Sequence, residues 1–141
     1  YGDHRDLHLS IRRQRQMCIR DRRHINTATN FFNQSKYKDN IFIHPGNAMD
    51  TLENFKINSF DLVFIDADKK NYIEYYNRSI QLIKSGGIIV LDNMLWGGTV
   101  LNPKDLESKI LNKLGKFISE DLRVINLLLP IRDGIMVCIK Q

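Results

Sequence analysis

Several things are scarce or missing in this chain of 141 residues, and each absence excludes something. No run of about 18 apolar residues occurs, so no helical membrane span is expected, and the first residues carry no apolar secretory segment. Only two cysteines are present, Cys18 and Cys138, too far apart for a zinc or redox spacing. That usage suits a reducing, cytoplasmic setting. No GxxxxGK[ST] is found, so nothing supports the apolar run ending at Asp66 as the magnesium strand of a P-loop NTPase. No GxGxxG is found either, which leaves a nicotinamide cofactor without its fingerprint.

Lysine and asparagine are missing from residues 1–23, which hold seven arginines against three aspartates. The remainder holds eleven lysines, three arginines and thirteen asparagines, so most of the net charge of +5 belongs to the first segment. A basic arm for an acidic partner is one reading of this break, and a solvated or disordered tail is another. A third reading is more specific: "RRQRQMCIRDR" resembles translated sequencing-adapter read-through, which would make residues 1–22 non-native. The organisation expected is therefore a segment 1–23 set apart from a domain 24–141.

From His24 onward the text alternates strand and helix. Ile25, Ala28, Phe31 and Phe32 mark one face of a helix over 24–38. "NIFIHPG" reads as a strand stopped by Pro45 and Gly46, and "NAMDTLENF" as a short helix. "FDLVFIDA" is a nearly continuous apolar run, as in the interior of a parallel sheet. A helix with Ile73, Tyr76, Ile80 and Ile83 on one face follows and is expected to end at Ser85-Gly86-Gly87. After the strand "IIVLD", Asn102 and Pro103 should open a helix whose face is Leu106, Ile110, Leu114 and Phe117. The last two strands are joined by only "IRDG", which permits an antiparallel pair and no helical crossover. The pattern is an α/β three-layer domain with a mixed sheet.

Chemistry in open α/β sheets gathers beyond the carboxyl ends of the strands. Two successive strands end at Asp66 and at Asp92-Asn93. If they are neighbours, two carboxylates and an amide carbonyl meet, a hard donor set suited to Mg²⁺ or Ca²⁺. The bland reading has Asp68 capping the helix at Lys69 and Asp92 capping a turn. Lys69, three residues past Asp66, is either a partly desolvated proton acceptor or an exposed lysine, as Lys70 is expected to be. Trp96 with Gly97-Gly98 reads as an aromatic flap or a packed loop, and His24 and His44 as structural or exposed.

Taken in order, "FDLVFIDADKKNYIEYY", "GGIIVLDNMLWGGTV" and "LPIRDGI" resemble the cation-dependent O-methyltransferases of the caffeoyl-CoA and catechol type. The resemblance runs over about residues 24–141. It implies a Rossmann-like S-adenosylmethionine (SAM) methyltransferase sheet of order 3-2-1-4-5-7-6, closed by an antiparallel hairpin. It makes Asp66, Asp92 and Asn93 the ligands of a divalent cation, Mg²⁺ before Ca²⁺ or Mn²⁺, and Lys69 the general base. It sets Asp68 at the methionine part of SAM, Ala48 at the adenine, Tyr72 at the site lining and Trp96 in the loop over the acceptor. The implied partner is a small-molecule hydroxyl acceptor, with a homodimer left open and neither nucleic acid nor membrane expected. The family's glycine-rich turn and following acidic residue should precede residue 24, where the arginine-rich segment stands. The first two strands are thus expected to be missing, and the competing reading is an inactive fragment or basic-armed binding module without SAM binding.

Overall fold

The computed structural model describes residues 15–19 and 22–141. Its chain divides after Asn54 into two compact units. In the first, strand β1 (Arg15–Ile19) pairs in parallel with β2 (Ile41–Pro45), joined by helix α1 (Arg22–Asn33); α2 (Ala48–Glu53) follows. The composition break at residue 23 therefore does not coincide with a structural boundary: Arg15–Ile19 is a strand, while residues 1–14, 20 and 21 lie outside the described residues. β1 directly precedes α1 and pairs with β2, the neighbour that the implied order gives a second strand. The expectation that both amino-terminal strands are missing does not hold for that position. Helix α1 ends at Asn33 rather than residue 38, where a 3-10 turn over Lys38–Asn40 leads into β2.

The second unit is a four-stranded mixed sheet of order β3-β4-β6-β5. β3 (Phe60–Ile65) and β4 (Ile83–Leu91) are parallel neighbours, while β6 (Ile135–Lys140) is antiparallel to both β4 and β5 (Val124–Leu129). Helix α3 (Tyr72–Leu82) packs on β3 and β4, and α4 (Leu106–Ser119) on β5. Alternation along the strands sends Ile65, Ile89, Leu91, Met136 and Cys138 to this covered face, where all are buried. Burial pushes the Cys138 thiol up to about 12, so it behaves as an inert apolar side chain. By the same alternation Leu62, Phe64, Ile88, Val90, Ile125, Leu127, Val137 and Ile139 share the opposite face, wholly apolar, and Leu62, Phe64, Ile125 and Leu127 are more than half exposed.

Three local expectations need correction. Ser85-Gly86-Gly87 does not end α3, which stops at Leu82; Ile83 is already extended and begins β4. The glycines instead let the chain arch out of the ladder between the pairs Phe60–Ile83 and Leu62–Ile88, with Gly86 at φ 76°. A Cβ on Gly87 would stand 2.5 Å from Ile83 Cγ1, so only glycine fits that closure. Second, α4 starts at Leu106, because the Asp105 carboxylate accepts the Ser108 N–H at 2.8 Å and is the true cap; Asn102 and Pro103 lie before it. Third, the buried stripe of α4 is Ser108, Leu111, Leu114 and Ile118, one step round from the face expected, which leaves Leu106 and Phe117 exposed.

Candidate active site

Parallel pairing of β3 with β4 brings two strand ends to one edge. Ile65 pairs with Leu91, and the Asp92 N–H donates to Ile65 O at 3.0 Å, so Asp66 and Asp92 leave adjacent strands at the same level. Asn93 then turns in the left-handed conformation (φ 60°), its N–H held 2.7 Å from Asp92 Oδ1. The strands were expected to be neighbours, and they are. Among the described residues no three His, Cys, Asp or Glu side chains group as a metal centre; the oxygen set here is two carboxylates and an amide carbonyl.

Lys69 is not the exposed lysine of the bland reading. It is 7 % exposed and lies in a 3-10 turn (Lys69–Asn71) between β3 and α3. Its ammonium donates to the Tyr72 hydroxyl, to Asn93 Oδ1 at 3.1 Å and to Asp92 O at 3.3 Å. It stands 4.0 Å from the Tyr72 ring centroid and 5.6 Å from that of Trp96, positions for cation–π attraction. Burial lowers its pKa; Asp66, Asp92, Asp133 and Asp68 pull the other way without reversing the shift. Lys70 is exposed, as expected.

Tyr72, expected to line the site, is fully buried beneath it. Its hydroxyl lies 3.1 Å from Asp92 O and 3.2 Å from Ile65 O, and so touches the carboxyl ends of both strands. Burial, reinforced by Asp66, Asp92 and Asp68, raises its pKa and keeps the phenol protonated. Asp68 is exposed and makes no side-chain cap bond. Its two oxygens instead accept the Asn71 amide at 2.7 Å and the Tyr75 hydroxyl at 2.9 Å, which fixes the plane of the carboxylate.

Trp96 opens a 3-10 segment (Trp96–Leu101) and is half-buried. Asp66, Asp68, Lys69, Tyr72, Asp92, Asn93 and Trp96 thus all belong to the edge beyond β3 and β4. Ala48 belongs to the first unit, as the first residue of α2, with Asn47 capping that helix through its side chain. The region where the glycine-rich turn was expected lies largely outside the described residues. Asp133 was passed over by the sequence reading although it sits within the quoted "LPIRDGI"; it adds to the negative potential at Lys69 and bonds to the Trp96 loop.

The sequence pattern of the O-methyltransferase family matches residues 14–141. Caffeoyl-CoA O-methyltransferase 1 of Eucalyptus globulus is 38% identical over 112 residues, which cover 71% of this chain and 46% of that protein. The cofactor-bound structure of Rv0187 from MTB superposes with a TM-score of 0.84 at 26% identity, over 90% of this chain and 61% of that one. The O-methyltransferase of Bacillus cereus in complex with SAH superposes with a TM-score of 0.80 at 25% identity, over 90% of this chain and 63% of that one. The chain spans less than half the length of the curated relatives it matches. The match runs from residue 14 to the last residue and the α/β fold is of the Rossmann-like class, so the chain belongs to the O-methyltransferase family.

Proposed function

We propose that this chain carries the catalytic edge of a SAM-dependent, divalent-cation-dependent O-methyltransferase acting on a catechol-like small molecule with two neighbouring hydroxyls. One observation carries the reading: a buried lysine amine stands among the oxygen side chains that end two adjacent parallel strands. Asp66, Asp92 and Asn93 supply only oxygen donors, which suits a hard cation such as Mg²⁺ or Ca²⁺. Asp68, its carboxylate fixed by Asn71 and Tyr75, suits the ammonium of the methionine part of SAM. Ala48 is assigned to the adenine by resemblance.

Bound cation supplies Lewis-acid stabilisation of a phenolate, and bound SAM supplies the methyl group. The chain's own residues do the rest. Lys69, its amine less basic than usual because it is buried, takes the proton from the reacting hydroxyl. Asp66, Asp92 and Asn93 would hold the cation beside Lys69, where its charge would favour the phenolate form of the acceptor, and the Trp96 ring offers a flat apolar wall to the acceptor ring. Holding acceptor and donor in line contributes much of the acceleration.

Isothermal titration with SAH, followed by a transfer assay on catechol, tests the reading. Saturable SAH binding, EDTA-sensitive transfer, and loss of transfer and of cation binding in Asp92→Ala are expected. Undiminished turnover in Asp92→Ala would sink the metal assignment. Absence of SAH binding would favour the fragment or binding-module reading.

A further inference from the structure

The turn joining β5 to β6 is tied to the loop after β4 by three hydrogen bonds that the proposed reaction does not use. Met94 N–H donates to Gly134 O at 2.9 Å, Leu95 N–H to Asp133 O at 2.8 Å, and Gly97 N–H to Asp133 Oδ1 at 2.5 Å. A Cβ on Gly134 would stand 2.5 Å from Leu95 Cγ and 2.9 Å from Leu95 N, so the approach requires glycine. Backbone strain collects in the same two loops: Asn93, Trp96 and Arg132 have φ of 60°, 48° and 51°. Among the described residues only Asn58 joins them as a non-glycine in that region. Such conformations persist where surroundings over-determine them, and they cluster at ligand sites.

The bonds inside the loop are local. Gly98 N–H donates to Leu95 O at 2.8 Å and the Thr99 hydroxyl to Trp96 O at 2.6 Å, which keeps the loop's shape without fixing where it sits. Around Gly97 and Gly98 there is open space where a Cβ would stand, so no packing anchors the tip there. The two roots of the loop are held by the Met94 and Leu95 N–H groups on one side and by the Asn112 amide, which donates to Val100 O at 2.8 Å, on the other; the Asp133 carboxylate is what anchors the stretch beside the ring. It grips the residue next to Trp96, whose ring faces the Lys69 ammonium.

We propose that Asp133 is a positioning residue that holds the Trp96 loop over Lys69, and thereby sets the wall against which the aromatic acceptor lies. The consequence for the acceptor rests on the function proposed above; the attachment of the loop does not. Trp96 is the single tryptophan of the chain, so its fluorescence reports the loop alone. Asp133→Asn keeps an acceptor oxygen for Gly97, whereas Asp133→Ala removes it. Loss of one hydrogen bond to a charged acceptor should shift the docked-to-free ratio of the loop by on the order of tenfold. Asp133→Ala should therefore raise acrylamide quenching and lower the emission anisotropy of Trp96, with Asp133→Asn close to the parent chain.

Unchanged quenching and anisotropy in Asp133→Ala would overturn the assignment. So would equal changes in both variants accompanied by equal falls in melting temperature, the mark of a merely structural role. Should Asp133→Ala fail to fold, hydrogen exchange at the Gly97 amide of the unmutated chain decides: protection supports the tether and free-loop exchange refutes it. Where transfer to catechol is measurable, Asp133→Ala should raise the acceptor KM and leave SAH affinity unchanged. A parent chain that transfers nothing would count against the proposed function, while the Trp96 readout still settles the tether.

Discussion

Replacing Lys69 by methionine should separate catalysis from stability at this site. The substitution removes donors to the Tyr72 hydroxyl, Asn93 Oδ1 and Asp92 O, yet it orphans none of them. The one Tyr72 hydroxyl proton serves Asp92 O at 3.1 Å, Ile65 O still accepts the Asp92 N–H at 3.0 Å, and the half-buried Asn93 amide can turn to water. The lost bonds, made by a charged donor, are worth about 1.5–3 kcal/mol each. Against them stands the desolvation of a buried ammonium, several kcal/mol in proteins, which methionine does not incur while it refills the volume of the stem. The opposing effects largely offset each other, so the unfolding free energy should stay within about 2 kcal/mol of the parent value. If Lys69 is the general base of the proposed function, catalysis has no such compensation, since a general base contributes about 10²–10⁴-fold. Urea unfolding and methyl transfer to catechol, measured on one preparation, read the two quantities. A destabilisation beyond about 3 kcal/mol, the scale of a broken buried pair, would make Lys69 a structural strut. Turnover within a few-fold of the parent would remove it from the mechanism.

Three further outcomes follow from the packing of the second unit away from this edge. Asp121 is held down to about 2 chiefly by the Arg123 guanidinium at 2.7 Å, with the Tyr76 hydroxyl also donating to it. Its folded pKa lies below the ordinary value near 3.9, so this stability is present above about pH 4 and is lost as pH falls toward 2. Partial solvation of the pair limits the difference between pH 5 and pH 3 to about 1 kcal/mol in urea unfolding, and Asp121→Asn should abolish it. The Lys140 ammonium donates to Ile80 O, Ile83 O and Asn58 Oδ1 at 2.8–2.9 Å and so closes the carboxyl end of α3. Lys140→Met should lower stability by about 1–2 kcal/mol, read by thermal melting. The two sheet faces should respond unequally: Leu91→Ala, at a fully buried position, should cost about 2–5 kcal/mol, whereas Leu127→Thr, at one 60 % exposed, should stay within about 0.5 kcal/mol in a urea midpoint.

What could be read from residues alone divides by physical cause. A parallel strand buried in a sheet writes a continuous apolar run, and "FDLVFIDA" and "IIVLD" were legible for that reason. Parallel neighbours end at one edge, so two runs that stop at Asp66 and Asp92-Asn93 also foretold where the oxygens meet. The antiparallel β5–β6 pair was legible because four residues cannot hold a crossover. Strand β1 was not, since "RQMCI" lies in an arginine-rich text and has neither a continuous apolar run nor a strict alternation. Glycine pairs misled at residues 86–87, because a helix stop and a bulge ask for the same backbone freedom. The depth of Lys69 was hidden as well: its burial depends on Tyr72, Asn93 and Trp96, which only the folded turn brings to one ammonium. Asp133 is the extreme case. It lies 36 residues from Gly97, and its bond to that backbone amide leaves no period or spacing in the chain. Residues that end strands at a site are therefore readable from one sequence, whereas those that hold its loops need coordinates.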